Sequence, residues 1–184
     1  MRRMLLIVDP QVDFINGSLP VPGAPEAMDA LAEYIRTDSD RYEVIGITAD
    51  SHPSDHNSFR SNGGEWPVHC VSGTEGAAIW PAIYSAAGDS GRRVEVYHKG
   101  DRTEVEEYSV FENPLSRKAL VGLVRDLGIT DIDICGLAGD VCVLSSLRDG
   151  IRLLPEVKFH VLLPYSPSLD GGKMLESYIN SRES

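Results

Sequence analysis

Cysteine is scarce in this 184-residue chain, with three in all. The opening Met1-Arg2-Arg3 leads into a short apolar run, Met4–Val8, that Asp9 and Pro10 end. A secretory segment needs a longer apolar stretch and a small-residue cleavage site. Three thiols without an export signal argue against a disulfide framework and leave at least one free for chemistry. Long hydrophobic runs are missing too, and none approaches the length that spans a bilayer. Positive charge is short: 17 Lys and Arg against 28 Asp and Glu give a net charge of −11, with no basic cluster. Nucleic-acid and anionic-membrane partners are therefore not expected. The expectation is a cytoplasmic protein whose substrate is neutral or meets a locally positive site.

What is present reads as globular, with 42% apolar and 24% charged residues and enough length to bury a core. One domain over 1–184 is expected. Runs rich in Val, Ile and Leu at 4–8, 44–49, 132–137 and 157–163 have the continuity of strands covered on both faces. The alternating 94–98 predicts a less covered strand. Pro25 opens a helix with Ala27, Met28, Leu31 and Ile35 on one stripe. Asn113-Pro114 opens another, which carries Leu120, Leu123, Val124 and Leu127 and stops at Gly128. A third follows Asp140 through Val143, Leu144 and Leu147 to Gly150, and a last one covers 169–179. This alternation predicts an α/β fold, a parallel sheet flanked by helices on both faces. The exception is 50–93, rich in Gly, Ser, Pro and His, with a broken helix over 77–84 interrupted by Pro81. Long connections of this kind inside a compact domain tend to carry function.

Ligands of open parallel sheets bind beyond the carboxyl ends of the strands. Here those ends carry Asp9, Asp50-Ser51-His52, Lys99 and, after 132–137, Ala138-Gly139-Asp140-Val141-Cys142. Side chains two apart on an extended strand share a face, so Asp50 and His52 project together. Histidine is sparse, yet three of the five fall at 52, 56 and 69. His56 and His69 can complete a site of one carboxylate and up to three imidazoles, a set that suits Zn²⁺, Fe²⁺ or Mn²⁺. Cys142 is expected at a helix start, where the positive helix end favours the thiolate and free N–H groups can hold an oxyanion. Asp9 can take the thiol proton, with Lys99 keeping that carboxylate ionised. Cys135, in mid-strand, reads as core packing, while Cys70 is open to either reading.

The segments Val8-Asp9-Pro10-Gln11-Val12-Asp13-Phe14, Asp50-Ser51-His52-Pro53-Ser54-Asp55-His56, Trp66-Pro67-Val68-His69-Cys70, His98-Lys99-Gly100 and Gly136–Val143 occur in that order. Together they resemble the nicotinamidase branch of the isochorismatase-like hydrolases over about residues 4–150. The resemblance implies hydrolysis of nicotinamide to nicotinate and ammonia on a parallel sheet flanked by helices. It implies Cys142 as nucleophile, Asp9 as general base and then acid, and Lys99 as the third member of the triad. It implies one divalent metal ion on Asp50, His52 and His69, zinc first and iron or manganese next, with His56 at a further ligand or near-ligand position. Phe14, Trp66 and Tyr108 match positions near the substrate ring. A cis peptide at Leu137-Ala138 would aim the N–H groups of Ala138 and Cys142 at the oxyanion. The implied partner is a small aromatic amide, and a homo-oligomer stays open.

Three features depart from that pattern: apolar Val141 before the nucleophile, the acidic stretch with Glu104, Glu106 and Glu107, and a loosely matching C-terminal part containing Pro164–Pro167 and Gly171-Gly172. Two other readings stand beside it. A metal-free cysteine amidase acting on a carbamoyl or ureido group would not need Asp50, His52 and His69 together. A non-catalytic metal-binding protein would leave Asp9 and Lys99 unexplained.

Overall fold

Along the first strand, alternate side chains go to opposite faces. Met4, Leu6 and Val8 enter one core, Leu5 and Ile7 the other. That is the physical basis of the unbroken apolar run, since both faces are covered. The computed structural model describes residues 1–183. Its five strands are β1 (Arg3–Val8), β2 (Val44–Asp50), β3 (Arg93–Lys99), β4 (Asp131–Gly136) and β5 (Lys158–Val161). All neighbours pair in parallel, in the order β3-β2-β1-β4-β5.

The helices are α1 (Val12–Ile15), α2 (Ala24–Asp38), α3 (Pro81–Asp89), α4 (Pro114–Asp126), α5 (Leu144–Leu153) and α6 (Lys173–Glu183). Met28, Leu31 and Ile35 of α2 pack with Ile83 and Ala86 of α3 on one face. Leu120 and Val124 of α4, Leu144 and Leu147 of α5 and Leu175 of α6 fill the other. Among the described residues, no helix is long and apolar enough to cross a membrane.

Element identities follow the sequence closely, and three boundaries shift for local reasons. Pro81 starts α3 instead of interrupting it, because a proline in the first turn gives up no intrahelical hydrogen bond. The last helix begins at Lys173, not 169: Gly171 and Gly172 take positive φ (75° and 91°), and the Asp170 carboxylate accepts from the N–H groups of Gly172 and Met174. β5 is shorter than 157–163 and half exposed, because it forms a sheet edge. The Asn113 side chain caps α4, accepting from the N–H groups of Leu115 and Ser116.

Strand order reverses between β1 and β4, which lie side by side and send their connections to opposite flanks. The crevice at such a switch point is where this architecture binds ligands. It opens here between the turn after β1, at Asp9, and the turn after β4, at 137–142. Gly136 closes β4 at φ 122°, and a Cβ there would lie 2.0 Å from the Val8 carbonyl oxygen. Gly136→Ala should therefore cost about 3 kcal/mol or more, read as a lower urea midpoint, with Gly88→Ala, where nothing lies within 4 Å of the added Cβ, as the neutral control.

Candidate active site

Asp9 is the first residue past β1 and adopts the left-handed conformation (φ 46°). Its N–H donates to the Thr48 carbonyl, and the Thr48 hydroxyl donates to Asp9 Oδ1 at 2.6 Å. The other oxygen, Oδ2, pairs with Lys99 Nζ at 2.9 Å. A non-glycine residue held at positive φ by its surroundings is characteristic of functional sites.

Lys99 ends β3 and is completely buried. Its ammonium also pairs with Asp50 Oδ1 at 2.5 Å, donates to the Glu107 carbonyl at 3.2 Å and lies 3.7 Å from Cys142 Sγ. Burial works against its charge, but the carboxylates of Asp50 and Asp9 outweigh this and hold it firmly protonated. The Asp50 carboxyl is pushed up by burial, yet Lys99 and His52 hold it well below the ordinary range. Asp9 moves the other way. Burial raises it, Lys99 only partly offsets that, and the Asp50 charge adds to the rise.

After β4 the Leu137-Ala138 peptide is cis, and the chain makes a π-helical turn (Gly139–Val143) that runs into α5. Cys142 sits in that turn, nearly buried, with Sγ, an Asp9 oxygen and an Asp50 oxygen mutually within 4.8 Å. The expected helix start is there, while the groups around the sulfur work against the thiolate. Burial pushes the thiol well above its ordinary value, Lys99 pulls it back only in part, and Asp9 and Asp50 add to the rise. Cys135 is buried in β4, as expected of a packing residue, and Cys70 is fully buried as well.

Asp50, His52 and His69 bring one donor atom each to within 4.8 Å of one another, all buried. His52 Nδ1 bonds the Gly100 carbonyl at 2.8 Å, and His69 Nδ1 bonds the Pro67 carbonyl at 2.7 Å. Each ring is thus oriented through Nδ1 and leaves Nε2 for a ligand role, the usual second-layer arrangement around metal-binding imidazoles. His52 Nε2 is buried with no hydrogen-bond partner and is 3.6 Å from Asp50 Oδ2, too far for a hydrogen bond. This orphaned atom and the one-carboxylate, two-imidazole set fit a first-row divalent ion. His56 lies against His52 with ring centroids 4.2 Å apart. Its Nδ1 meets the Ser58 hydroxyl and its Nε2 the Val105 carbonyl, so both nitrogens have protein partners. The structure thus sets His56 beside the three-residue cluster; a second grouping joins it with His52 and Glu106.

A cavity opens over Cys142. Phe14, Trp66 and Tyr108 all line it, as do Asp50, His69 and Ala138. Trp66 Nε1 donates to the Tyr108 hydroxyl at 3.1 Å, which locks the two rings together. Leu19, Val21, Glu106, Val141 and Leu169 complete the wall; sequence reading assigned none of them to it.

Several polar residues in supporting positions also escaped that reading. The Gln11 amide clasps Asp50 on both sides, accepting from its N–H and donating to its carbonyl, each at 2.8 Å. Asp13 Oδ2 accepts the N–H of Cys70, next to His69, at 2.7 Å. Glu107 accepts from the Gly100 N–H, Asn113 Nδ2 and Arg102. A buried amide or carboxyl within a run already flagged as functional was the available signal.

The isochorismatase domain family matches residues 3–157 of this chain. The nicotinamidase/pyrazinamidase of Mycobacterium tuberculosis is 36% identical over 155 residues, covering 82% of this chain and 79% of that protein. The nicotinamidase of Escherichia coli is 33% identical over 169 residues, covering 82% and 77%. Among solved structures, the pyrazinamidase of Pyrococcus horikoshii in complex with zinc superposes with a TM-score of 0.85 at 29% identity, over 99% of this chain and 96% of that one.

Lys99→Met leaves two buried acids without their shared cation and should lower the stability of the metal-free protein by about 3–5 kcal/mol, measured by urea unfolding. Glu107 supplies a pH test. Burial pushes its carboxyl up, but Arg102, the Gly100 N–H and Asn113 together hold it below the ordinary 4.5. A depressed folded-state pKa contributes stability that is present above pH 4.5 and lost as pH falls through the lower folded value. Glu107→Gln should accordingly flatten the acid limb of stability against pH below 4.5.

Proposed function

The chain belongs to the isochorismatase domain family, and from that premise we propose that it is a nicotinamidase, a cysteine amidase that hydrolyses nicotinamide to nicotinate and ammonia. The observation that carries this reading is Cys142 in the wall of an aromatic-lined cavity that also reaches Asp50 and His69, with Lys99 buried behind it, 3.7 Å from the sulfur and paired with Asp9. The cavity suits a small planar amide, with Phe14, Trp66 and Tyr108 about the ring and the carboxamide over the sulfur. The names of the relatives point to the same chemistry.

Cys142 Sγ attacks the carboxamide carbon as its proton passes to Asp9, whose carboxyl burial raises above its ordinary value and so makes a better base. The backbone N–H groups of Ala138 and Cys142 receive the oxyanion. Asp9 then protonates the departing nitrogen, the C–N bond breaks, and ammonia leaves a thioester on Cys142. A water molecule that gives its proton to Asp9 attacks the thioester carbon. The C–S bond breaks, the sulfur regains its proton, and nicotinate leaves. Lys99 stays charged throughout and prevents Asp9 and Asp50 from repelling one another as Asp9 cycles. Asp50, His52 and His69 would hold a divalent metal ion, zinc first, which when bound supplies a Lewis-acid anchor for the pyridine nitrogen. A metal-free amidase would have no use for the buried, unpartnered His52 Nε2.

The direct test is ammonia release from nicotinamide by purified, metal-replete protein. Cys142→Ala should lower kcat by about 10⁴-fold, and Asp9→Asn by at least about 10²-fold. A Cys142→Ala protein that turns over normally would sink the covalent route. Chelation should remove one bound ion per chain and act mainly on KM, with His69→Ala binding far less metal by elemental analysis.

A further inference from the structure

The family match ends at residue 157, and the segment after β5 forms part of the cavity wall. Leu169 lines the cavity with 39% of its surface exposed, so it sits at the rim. Its position is tied to the nucleophile turn by side-chain and backbone bonds together. The Asp140 carboxylate, two residues before Cys142, accepts the N–H of Leu169 at 2.9 Å and the N–H of Asp170 at 3.0 Å. The neighbouring Gly139 N–H donates to the Pro167 carbonyl at 2.9 Å. The approach is close enough that a Cβ on Gly139 would lie 2.3 Å from the Ser168 hydroxyl and 2.5 Å from the Ser166 carbonyl. On its far side, the loop is fixed to α6 through the Asp170 carboxylate, which accepts from Gly172 and Met174.

We propose that Leu169 is a specificity-determining wall of the substrate cavity, and that Asp140 is the positioning residue that holds it at a set distance from Cys142. This rests on the amidase reading above and adds what that reading leaves open, namely which aromatic amides are admitted. Two charge-assisted bonds from one carboxylate to successive backbone N–H groups fix a loop more tightly than ordinary backbone pairing does. The same turn carries the nucleophile, so the sulfur-to-rim distance is set within one rigid unit. An isobutyl group at the rim leaves room for an unsubstituted six-membered ring and crowds a ring bearing an alkyl group. The preferred substrates are therefore nicotinamide-sized amides without a further ring substituent. Discrimination by one or two methylene-sized groups in an apolar pocket is worth on the order of 10- to 200-fold.

The experiment compares nicotinamide with ring-methylated nicotinamides on the metal-replete parent, Leu169→Ala and Asp140→Asn. It reads both kcat/KM for ammonia release and dissociation constants from tryptophan fluorescence, to which Trp66 in the cavity wall should report. For Leu169→Ala, the ratio of methylated to unsubstituted kcat/KM should rise by about tenfold or more, through KM more than kcat. Asp140→Asn, which weakens the two bonds to the loop, should move the ratio in the same direction by a smaller factor. An unchanged ratio in Leu169→Ala overturns the wall assignment. An Asp140→Asn protein with a lower Tm and an unchanged ratio overturns the positioning role, because a purely structural residue would behave that way. If the parent binds nicotinamide without hydrolysing it, the amidase reading fails and the binding ratios alone decide the wall. A parent that binds none of these amides overturns both.

Discussion

A single buried ammonium holds the site together. Lys99 Nζ lies 2.9 Å from the Asp9 carboxylate, 2.5 Å from that of Asp50 and 3.7 Å from the Cys142 sulfur. Without it, two buried carboxylates would face one another and a thiol, and the lower-energy answer would be to protonate one of them permanently. With it, Asp50 is held well below the ordinary carboxylate range while Asp9 lies above it. The contrast between the two acids is therefore a matter of position about one cation. The same ammonium joins the half of the site proposed for proton transfer to the half proposed for metal binding.

The fold serves that arrangement. β1, β2 and β3 are adjacent, and their ends deliver Asp9, Asp50 and Lys99 to one rim, while β4, across the switch point, delivers the turn that carries Cys142. Parallel register makes this possible, because all the strands end on the same side. Asp50 is directly paired with Lys99 in the β2–β3 ladder, so backbone hydrogen bonding alone brings their side chains together. Buried polar groups then remove the remaining freedom. Gln11 fixes the Asp50 backbone, Thr48 fixes Asp9, and the Gly100 and Pro67 carbonyls set the two imidazoles.

Much of this is legible in the sequence because hydrophobic continuity marks covered strands, and residues just past such strands in an α/β fold are the ones that converge. That logic reaches Asp9, Asp50, His52, Lys99 and Cys142 directly. It does less well with tertiary placement. Local propensity reads Pro81 as a break, whereas the structure uses it to begin α3. Burial and two carboxylates work against the thiolate that the helix position of Cys142 favours, and no local pattern encodes their proximity. The rim residues Leu19, Val21 and Leu169 were invisible for a similar reason, since an apolar side chain on a loop looks the same whether it lines a cavity or covers a core. Glu107 stood out only as part of an acidic stretch, yet it is buried and organises the loop behind Lys99 and His52.

In the proposed reaction Cys142 carries the acyl group while Asp9, governed by Lys99, moves the protons. Mass spectrometry of the intact protein, acid-quenched during turnover of nicotinamide and then digested, tests it most directly. The account predicts one nicotinoyl group in thioester linkage on Cys142, with Cys70 and Cys135 unmodified and the adduct absent from quenched Cys142→Ala. Sustained ammonia release with no adduct at Cys142 under conditions that trap a thioester, or an adduct on another residue, would contradict it.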